Sequence, residues 1–243
     1  MAFGTERETS VFMRDREFSI DRSLREYMLK IYNYMTIGLL ITAGVSYYLA
    51  HSPYFSLFFN QAKGLTGLGW IVLLSPLLLV FMIYPAVQSL NTGVAFGLFV
   101  LYSALTGISL SPVCVVYTGS SVARVFLITS AMFLSTSLYG YTTRRDLTGW
   151  GSALMMALIG LIIASIVNIF LKSTRMDFLL SIVGVVIFSG LTAWDTQKFR
   201  ALFNEADDAR VMTGKAILGA LELYLDFINL FLYLLRFFGS RRD

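Results

Sequence analysis

The chain has 243 residues, of which 56% are hydrophobic and only 14% charged, where soluble domains carry about 25% charged residues. With a mean hydropathy of +0.70 and its apolar residues gathered in long blocks, it is not an ordinary water-soluble domain; the composition indicates an integral membrane protein. The net charge of +4 fits the polar margins of such a protein and does not argue for a nucleic-acid partner.

In chain order, residues 1–30 are charged, have no apolar core and lack a small-residue cleavage site. They read as a charged cytoplasmic N-terminal tail rather than a secretory signal, with an amphipathic turn near Ser23 to Tyr32 and basic side chains able to meet anionic headgroups. Residues 31–237 hold seven apolar blocks: Ile31–Ala50, Leu68–Leu90, Gly93–Tyr117, Ala123–Thr142, Trp150–Leu171, Asp177–Gln197 and Ala216–Phe237. Each is close to the roughly 20 residues that a helix needs to cross a bilayer. They are twice the length of a barrel strand and do not alternate, so an all-α polytopic membrane protein with seven transmembrane helices is expected. The joint Leu90-Asn91-Thr92 is short enough that the second and third blocks also read as one interrupted segment. Residues 238–243 form a short C-terminal tail.

With the N-terminus in the cytoplasm, twelve of the nineteen Lys and Arg fall in cytoplasmic segments and seven outside. This bias predicts a cytoplasmic N-terminus and an external C-terminus. The single Cys114 reads as a packing residue, and the single His51 as an interfacial one. No metal-binding Cys/His spacing, phosphate loop or nucleophile elbow is present, so neither a cofactor nor an enzymatic activity is expected. Asn168 in the fifth span could bond across to a neighbour. Gly107 and Pro112 could interrupt the third span, and Pro76 and Pro85 could bend the second.

The remaining chemistry lies in polar groups inside the spans. Asp195 sits near the cytoplasmic end of the sixth. Glu222 and Asp226, four residues apart, share one face of the seventh, and Asn229 and Tyr233 continue it as pore or helix-packing groups. A charged Asp at the middle of a membrane helix costs about 2.5–3.5 kcal/mol, so this face should meet protein or water. Intramembrane carboxylates usually mark an ion or proton path. Two of them side by side cannot both ionise cheaply; they titrate as a unit and hold one proton between them. Protonated, the pair can tie two helices together. Deprotonated, it repels itself and attracts a hard cation such as Ca²⁺. Depth along the helices pairs Asp195 with Glu222 as well as with Asp226.

The stretches "ALELYLDFINLFLYLLRFFG", "AWDTQK", "LYSALTGISLS" and "LREYMLKIYNYMTIGLLITAGVSYYLA" resemble the Bax inhibitor motif family, in particular its bacterial inner-membrane branch. The resemblance covers nearly the whole chain. It implies a seven-helix fold whose last helix is central and wrapped by the other six, in the cell inner membrane. It also implies a pH-sensitive calcium leak gated by a two-aspartate sensor, carried here by Asp195 and Asp226, which would also be the Ca²⁺ ligands. Three departures stand out. Trp194 replaces a common Tyr, and Glu222 adds a third carboxylate where a small polar residue is usual. The second span lacks the arginine that holds calcium-leak members closed.

Two function classes follow. One is an ion-conducting protein passing Ca²⁺ under proton control. The other is a non-conducting regulator that binds a membrane-bound protease, for which the charged tail offers a grip. An aspartate protease is disfavoured, because Asp195 sits in Ala-Trp-Asp-Thr and lacks the Gly-x-Gly-Asp context.

Overall fold

The computed structural model describes residues 3–60 and 64–242, with side chains from Ile20 onward. Eight helices are present among them: α1 (Phe3–Ala50), α2 (Phe55–Phe58), α3 (Gly67–Gln88), α4 (Thr92–Val116), α5 (Gly119–Thr142), α6 (Thr148–Leu171), α7 (Thr174–Ala201) and α8 (Ala209–Phe238). A two-residue hairpin, β1 (Phe59–Asn60) with β2 (Gly64–Leu65), follows α2. Seven helices are long and apolar enough to cross a membrane: α1 from Ile20 onward, and α3 to α8. The chain is thus an all-α polytopic membrane protein.

Several helices run past the apolar blocks. The α7 helix continues to Ala201 and α8 begins at Ala209, because a helix satisfies its own backbone in the polar interface as well as in lipid. The largest extension is α1, which is helical from Phe3, and its Tyr27 and Met28 are already buried in the core. The tail's basic side chains before Ile20, expected to meet headgroups, lie outside the described side chains.

The second and third blocks form two helices. Leu90 takes a left-handed φ of 56°, which turns the chain, and Asn91 caps α4 by accepting from the Val94 amide at 3.3 Å. The α4 helix is not interrupted at Gly107 or Pro112. Pro112 cannot donate to the Ile108 carbonyl, but the Ser111 hydroxyl does so at 2.8 Å. Pro76 likewise frees the Val72 carbonyl, which accepts from Ser75 at 2.9 Å and, across helices, from Ser109 at 3.3 Å. In lipid such substitute donors let a proline stay inside a continuous helix.

The last helix forms the centre. Of its most apolar stretch 61% is buried, against 11% for α3 and for α6, which face outward. The α7 and α1 helices pack along it, α5, α4 and α3 also touch it, and α6 packs chiefly on α7. Small residues (Gly214, Ala216, Gly219 and Ala220, all buried) let these neighbours approach. Tyr224, fully buried, bonds the Thr42 hydroxyl on α1 at 2.6 Å and meets Phe99 and Tyr102 of α4 edge-on. Next to the site, a Cβ at Gly140 of α5 would collide with the Ala193 backbone, and one at Gly151 of α6 with the Trp194 indole. These two glycines allow α5 and α6 to clasp the segment of α7 that carries Asp195.

Candidate functional site

Asp195 and Asp226 project toward each other from α7 and α8, 6% and 4% exposed. Their carboxyl groups are close enough to interact with each other, and that of Asp195 with Glu222 as well. Ionised carboxylates only accept hydrogen bonds, so two of them in contact can bond only if one keeps its proton. Asp195 Oδ1 and Asp226 Oδ2 are buried and take no hydrogen bond from any described residue.

Lys198, one helical turn beyond Asp195, covers this pair. Its ammonium donates to Glu222 Oε2 in a short ion pair and stands 3.6 Å from Asp195 Oδ1. It also lies 5.2 Å from the ring centre of Trp194 and 5.0 Å from that of Phe199, contacts that favour a cation. Glu222 Oε1 accepts from the Tyr84 hydroxyl of α3 at 2.9 Å. Three helices therefore meet at one cluster: α3 through Tyr84, α7 through Asp195 and Lys198, and α8 through Glu222 and Asp226. A hydroxyl relay runs beside it from Tyr32 to Ser137 at 2.6 Å and on to Thr196 at 3.0 Å.

The structure thus brings together Asp195, Glu222 and Asp226 but not the rest of the expected stripe. Asn229 turns back to donate to the Leu225 carbonyl at 2.8 Å. Tyr233 stacks on Phe188 at 5.8 Å and fills the space left by Gly184, so both serve packing within α7 and α8. Among the described residues Asn168 makes no cross-helix bond of the kind expected; its Oδ1 accepts from the Ser173 amide at its own helix end. His51 donates through Nδ1 to the Tyr47 carbonyl at 2.9 Å and packs, tilted, against the Tyr47 ring.

Lys198 and Tyr84 are the members of this cluster that sequence reasoning missed. Lys198 had a signal, since i and i+3 share a helix face. Tyr84 had none of its own: the resemblance implies that the second span meets the last, but no local pattern singles out this tyrosine as the residue that does so. Among the described residues no group of three or more His, Cys, Asp or Glu is disposed to hold a metal ion. The cationic partner of the carboxylates is Lys198 itself.

A sequence model of the family described as inhibitor of apoptosis-promoting Bax1 matches residues 24–243. The chain belongs to the Bax inhibitor family. Within that family it is similar to the uncharacterized protein RP147 of Rickettsia prowazekii, 48% identical over 93% of this chain and 94% of that one. It is equally similar to the inner membrane protein YbhL of Escherichia coli, 48% identical over 90% and 93% of the two chains. An uncharacterized membrane protein of Streptococcus pyogenes is 39% identical over 90% and 94%. Family membership and the seven apolar helices together make this chain a multi-pass membrane protein.

Proposed function

We propose that this Bax inhibitor family member is a pH-gated cation leak of the bacterial inner membrane, with Ca²⁺ as the ion passed and no enzymatic chemistry. The observation that carries this reading is the burial of Asp195 and Asp226 together inside a membrane bundle, with their carboxyl groups interacting across α7 and α8. With a proton between them, the pair ties α7 to α8. Tyr84 and Lys198, both bound to Glu222, hold α3 and α7 over it and supply the closure that an arginine on the second span would give. Proton loss leaves three carboxylates facing one ammonium. Their repulsion in low dielectric separates the helices and opens an oxygen-rich site. Two or three carboxylates fall short of the six to eight oxygens that Ca²⁺ takes, so the ion keeps water and passes through rather than residing.

Ca²⁺ flux into proteoliposomes between about pH 5 and 8, wild type beside the Asp195→Asn/Asp226→Asn double variant, tests this. Flux that rises with pH in the wild type and is pH-blind in the variant is expected. Folded protein that passes no Ca²⁺ at any pH would contradict the reading and favour the non-conducting regulator that binds a membrane-bound protease through its N-terminal tail.

A further inference from the structure

A cavity lies at the other end of α7, eighteen residues before Asp195, or roughly 27 Å along a helix rising about 1.5 Å per residue. It encloses about 280 Å³ between the end of α6, the first turn of α7 and the last turn of α8, lined by Ser165, Asn168, Lys172, Asp177 and Arg236 together with apolar Ile169 and Leu180. Two of these side chains are cationic and one is anionic. Asp177 and Arg236 face each other at 3.5 Å and remain nearly half exposed, so the cavity carries a net positive charge.

The hydroxyl of Ser165 sets this place apart. Hydroxyls buried in the spans normally donate to the carbonyl one turn back, as Ser103, Thr106, Thr129, Thr192 and Thr196 do here. The Ser165 hydroxyl is equally shut off from solvent and has no partner among the described residues. A buried hydroxyl without a partner has given up its water hydrogen bonds with nothing in return. Lys172, at the rim, sits in a left-handed conformation at φ 48° and ψ 35°, where glycine is the usual occupant of a helix end. An unbonded donor below two cations suits an anion with several acceptor oxygens and an apolar continuation along Ile169.

We propose that this cavity binds a phosphate-bearing anion, the phosphodiester of a lipid headgroup, with Lys172 and Arg236 on its charge and Ser165 donating to one oxygen. Guanidinium and ammonium groups recognise phosphate in this way, and on the expected topology this end of the bundle lies at the external headgroup layer. The site is remote from the carboxylate pair and independent of the leak.

Native mass spectrometry of the purified full-length protein in detergent tests the proposal, with phosphatidylglycerol as probe and a diacylglycerol of the same chains as control. Wild type should retain one phosphatidylglycerol and no diacylglycerol. Lys172→Ala should lower that adduct at least five-fold, Ser165→Ala should lower it less, and Lys172→Arg should keep it. Excess inorganic phosphate separates the sources: displacement of the lipid supports a phosphate site that also takes the free anion, and no displacement supports the anchored headgroup. Equal adducts on wild type and Lys172→Ala, with the variant eluting and melting as wild type does, would overturn the proposal, as would retention of diacylglycerol.

Discussion

Asp195, Glu222 and Asp226 are three carboxylates with different neighbours, and those neighbours separate the roles proposed for them. Glu222 is bound by Lys198 and Tyr84, whereas Asp226 has Asp195 within reach and an unbonded oxygen in the core. Asp226→Asn should therefore remove most of the pH dependence of flux, and Glu222→Gln should only shift it; equal loss from both would make Glu222 the true partner of Asp195. Lys198→Met removes the cation facing Glu222 and Asp195. Its side chain is one-third exposed, so screening keeps the loss of stability near 1–2 kcal/mol rather than the larger cost of breaking a fully buried pair. A lower melting temperature in detergent and a raised leak at acidic pH are expected, while an unchanged leak would remove Lys198 from the closure. The carboxylates were legible in the sequence because charge inside an apolar block is costly and conspicuous. Their pairing was not, since Glu222 and Asp226 lie on one face and depth alone matches Asp195 to either.

Helices were legible as apolar blocks, and their ends were not. Hydropathy registers only the lipid-facing stretch, so α1 appeared to begin at Ile31 although Tyr27 and Met28 are already core residues. Proline suggested interruption in α4, yet the serine before it supplies the missing bond. The same Ser-Pro step at Ser75-Pro76 makes a stability prediction. Ser75→Ala leaves the Val72 carbonyl only its longer bond from Ser109 and should cost about 0.5–1.5 kcal/mol, read as a lower melting temperature. At the start of α6, the Thr148 hydroxyl and amide donate to Asp146 at 2.6 and 2.9 Å and hold its carboxyl below the usual carboxylate range. A lowered value adds stability above the ordinary carboxylate pKa, which is lost as pH falls through the lowered one. Thr148→Val removes the hydroxyl bond, and an NMR titration of Asp146 should then move up toward the ordinary range.

At the scale of the whole molecule, α8 is a polar-striped helix that the bundle removes from lipid, with α3 and α6 left as the outward-facing helices. A face carrying Glu222 and Asp226 demanded protein around it, so the central place of α8 could be anticipated. The bond from Tyr84 of α3 to Glu222 of α8 could not, because it depends on packing that no local pattern encodes. Seven spans with a cytoplasmic N-terminus predict that a C-terminal reporter is external; a cytoplasmic reporter would break that topology. In the proposed leak, a proton shared by Asp195 and Asp226 holds α7 to α8. A pH-titrated infrared difference spectrum of the reconstituted protein, wild type against Asp226→Asn, tests it most directly. A protonated-carboxyl band that fades as pH rises, and is missing from the variant, is the predicted result. The same band in both proteins, or no such band in the wild type at acidic pH, would contradict the shared proton.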